Sequence, residues 1–187
     1  SRHHARRSVK RAFELPIRRI VEIEPSADDA PAARVNGSLV WDGFRERLWL
    51  LGGNVSSDGL VYETREDVWS FDPKTSRWEE HQLNGALPPA RLMHAALYDS
   101  LRDAVVMYGG ADERAFELDV EYFGDLWALD LEALQWVQLH DGAGAGSDAP
   151  IGRFWSGLVH AGAVDRYILF GGHQASGLGN RNETWVF

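Results

Sequence analysis

The 187 residues carry a formal net charge of −9, no cysteine, eight tryptophans and 44% hydrophobic residues. So apolar and aromatic a chain is not a disordered one and can bury a sizeable core, while the lack of cysteine excludes disulfides, thiolate metal sites and a cysteine nucleophile. No apolar run approaches the roughly 20 residues of a membrane-spanning helix, and a cysteine-free chain suits a reducing, intracellular setting.

Residues 1–19 hold Arg2, Arg6, Arg7, Lys10, Arg11, Arg18 and Arg19 against a single acid, Glu14. A basic arm on an acidic body suits RNA, an anionic membrane or an acidic protein surface. A solvated tail or targeting remnant has the same composition and is the preferred reading. Ile17–Pro25 alternates apolar and polar residues, which predicts a short strand, and Ser26–Ala33 is a linker by its prolines and small residues. Together, residues 1–33 form an arm, a strand and a linker.

A first unit covers residues 34–90. GSLVWDGFRERLWLLGG predicts a strand, a turn at Asp42-Gly43 and a second strand ending on Gly52-Gly53. Asn54–Asp67 is a loop, DVWSFD a third strand, and WEEHQL a fourth after a turn containing Pro73. Residues 91–152 repeat the order as HAALYD, AVVMYGG, DLWALD and QWVQLH, then the linker DGAGAGSDAP. Residues 153–187 give SGLVHAG, YILFGG and ETWVF, with no fourth strand. Trp69, Trp127 and Trp185 are 58 residues apart. Four short antiparallel strands per unit, repeated at this period, predict a segment of an all-β propeller. The glycine pairs allow a sharp turn and close backbone approach.

A Gly-Gly doublet after an apolar strand, a tryptophan in the third strand and another opening the fourth (Trp69/Trp78, Trp127/Trp136) resemble the kelch repeat over roughly 34–187. The family's arginine before the first strand is matched by Arg34, Arg91 and Arg153. The histidine three residues on is matched by His94 alone, with Gly37 and Ser156 in its place elsewhere, and the third unit lacks the second tryptophan. The resemblance implies blades around a channel. It places the loops between second and third strands on one face with the inter-blade loops, a face that in this family typically binds a protein or peptide. Here those loops are Asn54–Asp67, Ala111–Asp125 and His173–Glu183. The middle one carries Asp112, Glu113, Glu117, Asp119 and Glu121, interleaved with Phe116, Tyr122 and Phe123. Acids beside exposed aromatics would suit a basic or amphipathic partner segment; a solvated acidic loop is the plainer alternative. The candidate partner contacts are therefore Arg34, Arg91, Arg153, Asp112, Glu113, Phe116, Tyr122 and Phe123.

Three blades do not close a ring of about four to eight. Either this is a piece of a longer propeller, or two copies complete six blades by exchanging the strand near Ile20–Glu24.

Enzymatic readings have less to stand on. The copper-oxidase type of kelch-like propeller needs a cysteine-modified tyrosine, and there is no cysteine. His94, His160 and His173 with Asp125 and Glu183 are candidate metal ligands, but their spacing is no metal motif. A sugar isomerase could use Arg34, Arg91 and Arg153 at a channel mouth; hydrogen bonding of each arginine to carbonyls of the adjacent blade is preferred. No phosphate loop, nucleophile elbow or HExxH is present. Asn54-Val-Ser is the one glycosylation triplet in a plausibly open loop. The expectation is a non-enzymatic interaction scaffold within a larger chain or assembly, without cofactor or metal. The alternatives are a sugar- or metal-dependent propeller enzyme, and an arm that contacts RNA or anionic membrane.

Overall fold

Period-two alternation and aspartate-anchored turns make this chain a run of short antiparallel strands. The computed structural model describes residues 22–23, 30–115, 117–142, 148–174 and 179–187. The basic arm, most of the strand expected at Ile17–Pro25, and Phe116 lie outside the described residues.

The first unit holds β1 (Arg34–Val35), β2 (Ser38–Asp42), β3 (Arg47–Leu51), β4 (Asn54–Val55), β5 (Glu63–Thr64), β6 (Val68–Asp72) and β7 (Arg77–His81). The second holds β8 (Ala95–Asp99), β9 (Ala104–Tyr108), β10 (Leu126–Asp130) and β11 (Gln135–His140). The third holds β12 (Gly157–Ala161), β13 (Arg166–Phe170), β14 (His173–Gln174), β15 (Gly179–Asn180) and β16 (Thr184–Val186). Two four-stranded blades, β2-β3-β6-β7 and β8-β9-β10-β11, are followed by the three-stranded β12-β13-β16. The loops carry small ladders of their own, β1-β4-β5 and β14-β15.

The β2–β3 turn does not centre on Gly43. The Asp42 carboxylate accepts the N–H groups of Phe44 and Arg45 at 2.8 and 3.0 Å, and Glu46 takes the left-handed conformation at φ 55°. The side chain closes the turn, so the glycine is not needed for it. Asp99 does the same for Leu101 and Arg102, with Asp103 at φ 52°.

Register decides which residues meet between blades. Val40, Trp49, Leu51 and Val68 on one side of the first blade pack against Val105, Met107, Trp127, Leu129 and Trp136 of the second. The opposite side of the second blade, with Val106, Tyr108 and Leu126, packs on Tyr167 and Leu169 of the third. Every residue of β9 is therefore buried, whereas β13 alternates. That is why AVVMY reads as a continuous apolar run: covering both faces removes the polar half of the alternation. The inner edges are joined by backbone bonds, Met93 N–H to the Asn36 carbonyl at 2.9 Å and Trp155 N–H to the Met93 carbonyl at 3.0 Å. At the opposite end, Arg45 bridges its own Asp42 to Asp103 of the next blade, and Arg102 bridges Asp99 to Asp165.

The glycine pairs sit where one unit hands over to the next. Gly53 N–H donates to the Arg91 carbonyl and Gly110 N–H to the Arg153 carbonyl, both at 2.9 Å. A Cβ on Gly52 or Gly109 would lie 2.6 or 2.5 Å from those same carbonyl oxygens. Without side chains, and with positive φ, the glycines let the next unit's backbone seat directly on the strand end.

Candidate partner-binding face

Each unit is locked at its loop end by a buried arginine. In the middle unit Arg91 Nη1 donates to the Gly109 carbonyl at 3.0 Å, and Nη1 and Nη2 grip Asp125 at 2.5 and 2.9 Å. Its Nε donates to the Pro89 carbonyl, and its guanidinium lies 4.2 Å from the centre of the Phe123 ring. Arg34 repeats this with the Gly52 carbonyl and Asp67, and Arg153 with the Gly171 carbonyl and Glu183. The arginines expected to meet a partner, or the carbonyls of an adjacent blade, instead hold carbonyls and carboxylates of their own unit. Trp69 and Trp127 complete the clamp by donating Nε1–H to Asp67 and Asp125. In the third unit a longer carboxylate, Glu183, is drawn to Arg181 and Arg153, and Trp185 Nε1 is buried with no partner among the described residues. The paired arginines hold the Glu183 carboxyl down at about 2.

The middle loop also differs from its sequence reading. Phe123 is buried, and half-buried Tyr122 stacks on Phe154 at 5.5 Å, so Phe123 is a core residue and Tyr122 packs against the core rather than standing free on the surface. They were misread because an aromatic in an acid-rich segment looks exposed, yet here the loop folds back as a ladder, with Ala111 bridged to Leu92 and to Tyr122. Asp112 is buried, paired with Arg114 and accepting the Glu121 N–H. Glu113 does reach the surface and accepts from Thr64 of the first blade's loop at 3.3 Å.

The exposed apolar groups on this face were not foreseen. Leu60, Val61 and Tyr62 are 84, 67 and 43% exposed, Leu118 fully so, and Trp155 60%. A local turn presents the first three. Gly59 N–H donates to Ser56 Oγ, and the N–H groups of Leu60 and Val61 donate to Asp58, which holds the Asp58 carboxyl below its usual range. The signal was available as GLVY, an apolar run inside a polar loop. In the two loops that carry Leu60–Tyr62 and Leu118, the acids Asp58, Glu63, Glu66, Glu113, Glu117, Asp119 and Glu121 are all exposed.

His94 is buried beneath this face between the glycine pairs, its Cε1 2.9 Å from where a Gly52 Cβ would stand. Neither ring nitrogen has a hydrogen-bond partner among the described residues. Burial, and secondarily the charge of Arg91, hold its pKa down to about 3. Between that value and the ordinary 6.5 the unfolded chain binds a proton that the folded chain does not, so stability falls as pH drops. The expected slope is about 1.4 kcal/mol per pH unit below about 6.5. Half-buried His81, also depressed by desolvation, adds to it. In urea titrations across pH, His94→Phe should flatten the slope; an unchanged slope would assign it to His81 and the carboxylates.

The other candidate ligands do not converge. His160 faces Asp99 and Asp165, each at 3.3 Å, and His173 faces Asn180 at 2.9 Å. Asp125 and Glu183 sit in the arginine clamps, and among the described residues no three His, Asp or Glu side chains gather as metal ligands. Asn54, expected in an open loop, is buried in β4 and bonded to Asn36.

Residues 23–187 match the family model described as the KLHDC2/KLHL20/DRC7 Kelch-repeats domain. Among curated proteins, the chain is 27% identical over 132 residues to dynein regulatory complex subunit 7 of Chlamydomonas reinhardtii, covering 70% of this chain and 10% of that one. It is 26% identical over 133 residues to Kelch domain-containing protein 10 of Xenopus tropicalis, covering 68% and 29%. It thus spans less than a third of the length of either relative. The solved structure titled "Structure of YjhT" superimposes with a TM-score of 0.57 at 16% identity, over 75% of this chain and 45% of that one, a likeness of fold. With its repeated glycine pairs, arginine clamps and antiparallel blades, this chain belongs to the kelch-repeat family.

Proposed function

We propose that the chain is a non-enzymatic interaction module of an intracellular assembly, and that its loop face receives a basic, amphipathic segment of a protein partner. The observation that carries this reading is the set Leu60, Val61, Tyr62 and Leu118, exposed on two loops that also carry the exposed acids Asp58, Glu63, Glu66, Glu113, Glu117, Asp119 and Glu121. Apolar anchors supply desolvation energy, and the acidic surround selects cationic partners and speeds encounter. Dynein regulatory complex subunit 7 is by name a subunit of a complex, which accords with this role.

A random peptide library selected on the full chain tests it. Enriched peptides should combine Lys or Arg with aliphatic or aromatic residues, and the variant Leu60→Ser/Val61→Ser/Tyr62→Ser should lose at least about tenfold in affinity, a loss of about 1.4 kcal/mol. All three side chains are exposed, so the fold should be unaffected. Enrichment of acidic peptides, or equal binding by the variant, would refute the proposal.

A further inference from the structure

The loop face carries more negative charge than its own cations neutralise. Asp112 and Asp119 pair with Arg114, and Asp67 and Asp125 sit in the arginine clamps. Among the described residues Glu63, Glu66, Glu113, Glu117 and Glu121 have no ion-pair partner. They lie on the two loops that expose Leu60, Val61, Tyr62 and Leu118, and Thr64 Oγ1 joins those loops by donating to Glu113 at 3.3 Å. Unmatched carboxylates on joined loops repel one another. A cationic segment laid across them relieves that repulsion while its apolar side chains cover the exposed tips.

The chain carries such a segment beside this face. Residues 1–19 hold seven Lys and Arg against Glu14, with Val9, Phe13, Leu15 and Ile17 among them. This is the composition, basic with aliphatic and aromatic residues, that the face is proposed to select. The arm precedes the kelch match, which starts at residue 23. Where the chain joins the body is set by β1. Arg34 stands opposite Val55 in antiparallel register, so the chain enters beside Ser56, the residue that opens the turn presenting Leu60–Tyr62. Residues 20–33 separate the arm from that entry point, a reach of up to about 50 Å at about 3.5 Å per residue, enough to lay the arm over both loops.

We infer that residues 1–19 occupy the loop face of their own chain, as an internal stand-in for the basic partner segment that a partner must displace. The inference rests on the proposed reading of that face. Tethering gives the arm its advantage. A segment held at an effective concentration of about 1 mM and binding with a Kd of about 0.1 mM fills its site about ten to one, and weakens a competitor about tenfold.

The test compares the full 187-residue chain with a full-length variant in which the seven Lys and Arg of residues 1–19 are replaced by Gln. A fluorescent synthetic peptide of residues 1–21 is titrated into each and its anisotropy followed. The peptide should bind the Gln variant at least about tenfold more tightly than the wild type, whose own arm fills the site. That binding should fade in about 1 M salt, where screening is nearly complete. Adding Leu60→Ser/Val61→Ser/Tyr62→Ser to the Gln variant should remove it, with cooperative urea unfolding as the check that each variant is folded. Equal binding to both chains, binding to neither, or binding indifferent to the serine substitutions would overturn the inference. A library-selected basic peptide that binds the Gln variant where the arm peptide does not would overturn it too, while leaving the proposed partner face standing. A wild-type mass that grows with concentration, when that of the Gln variant does not, would overturn it in favour of the arm of a second copy.

Discussion

Replacing Arg91 with alanine should destabilise the chain by about 3–5 kcal/mol, the range for breaking a buried ion pair by removing one partner. The guanidinium satisfies four acceptors at once: both Asp125 oxygens, the Gly109 carbonyl and the Pro89 carbonyl. Alanine would leave the Asp125 carboxylate buried beside Trp127 with only the indole N–H as side-chain donor among the described residues. Arg91→Lys should recover only part of the loss, because a point charge cannot fork across two oxygens and a carbonyl. The Arg91→Ala/Asp125→Ala double variant should be markedly less damaged than the sum of the singles. Urea unfolding followed by tryptophan fluorescence measures all four. A loss from Arg91→Ala below about 1 kcal/mol, the ceiling for a typical surface pair, would show that the clamp is not structural.

Gly109→Ala should be about as damaging, and Gly171→Ala far less so, although the two glycines have nearly the same φ, 69° and 68°. The left-handed conformation alone costs about 1–2 kcal/mol for a residue with a Cβ, and both variants bear it. At Gly109 the new Cβ would also lie 2.5 Å from the Arg153 carbonyl oxygen, which cannot retreat because Gly110 N–H holds it at 2.9 Å. At Gly171 the atom nearest a Cβ among the described residues would be the Arg181 carbonyl oxygen, at 3.4 Å. The difference between the variants isolates the close approach of successive units from backbone strain. Equal shifts in urea midpoint would mean that neighbouring backbone gives way and that the hand-over between units is pliable.

The structural arginines and the surface contacts were hard to tell apart in sequence because both lie at strand ends in polar context. Arg34, Arg91 and Arg153 recur at the repeat period, a mark of a packing role as much as of a shared binding role. Only coordinates show the carboxylates 30 to 34 residues away turning in to meet them. Tyr122 and Phe123 looked available because six acids share their loop. The ladder that turns them inward depends on Leu92 and Phe154, the latter from the following unit. Leu60, Val61 and Tyr62 passed for part of a nondescript loop, since what presents them is a side-chain-to-backbone turn at Ser56 and Asp58.

What the sequence determined by itself was the repeat, the strand order within each blade and the family, because glycine pairs, alternation and spaced tryptophans are local signals that recur. What only the tertiary structure decided was which face each side chain meets. Leu50 and Leu51 are adjacent and chemically identical, yet Leu51 is buried against the second blade while Leu50 lies on the opposite face with Leu39 and Trp69. A strand's side chains alternate by geometry, but which half is covered depends on the neighbour that arrives, and that neighbour lies a full repeat away in the chain.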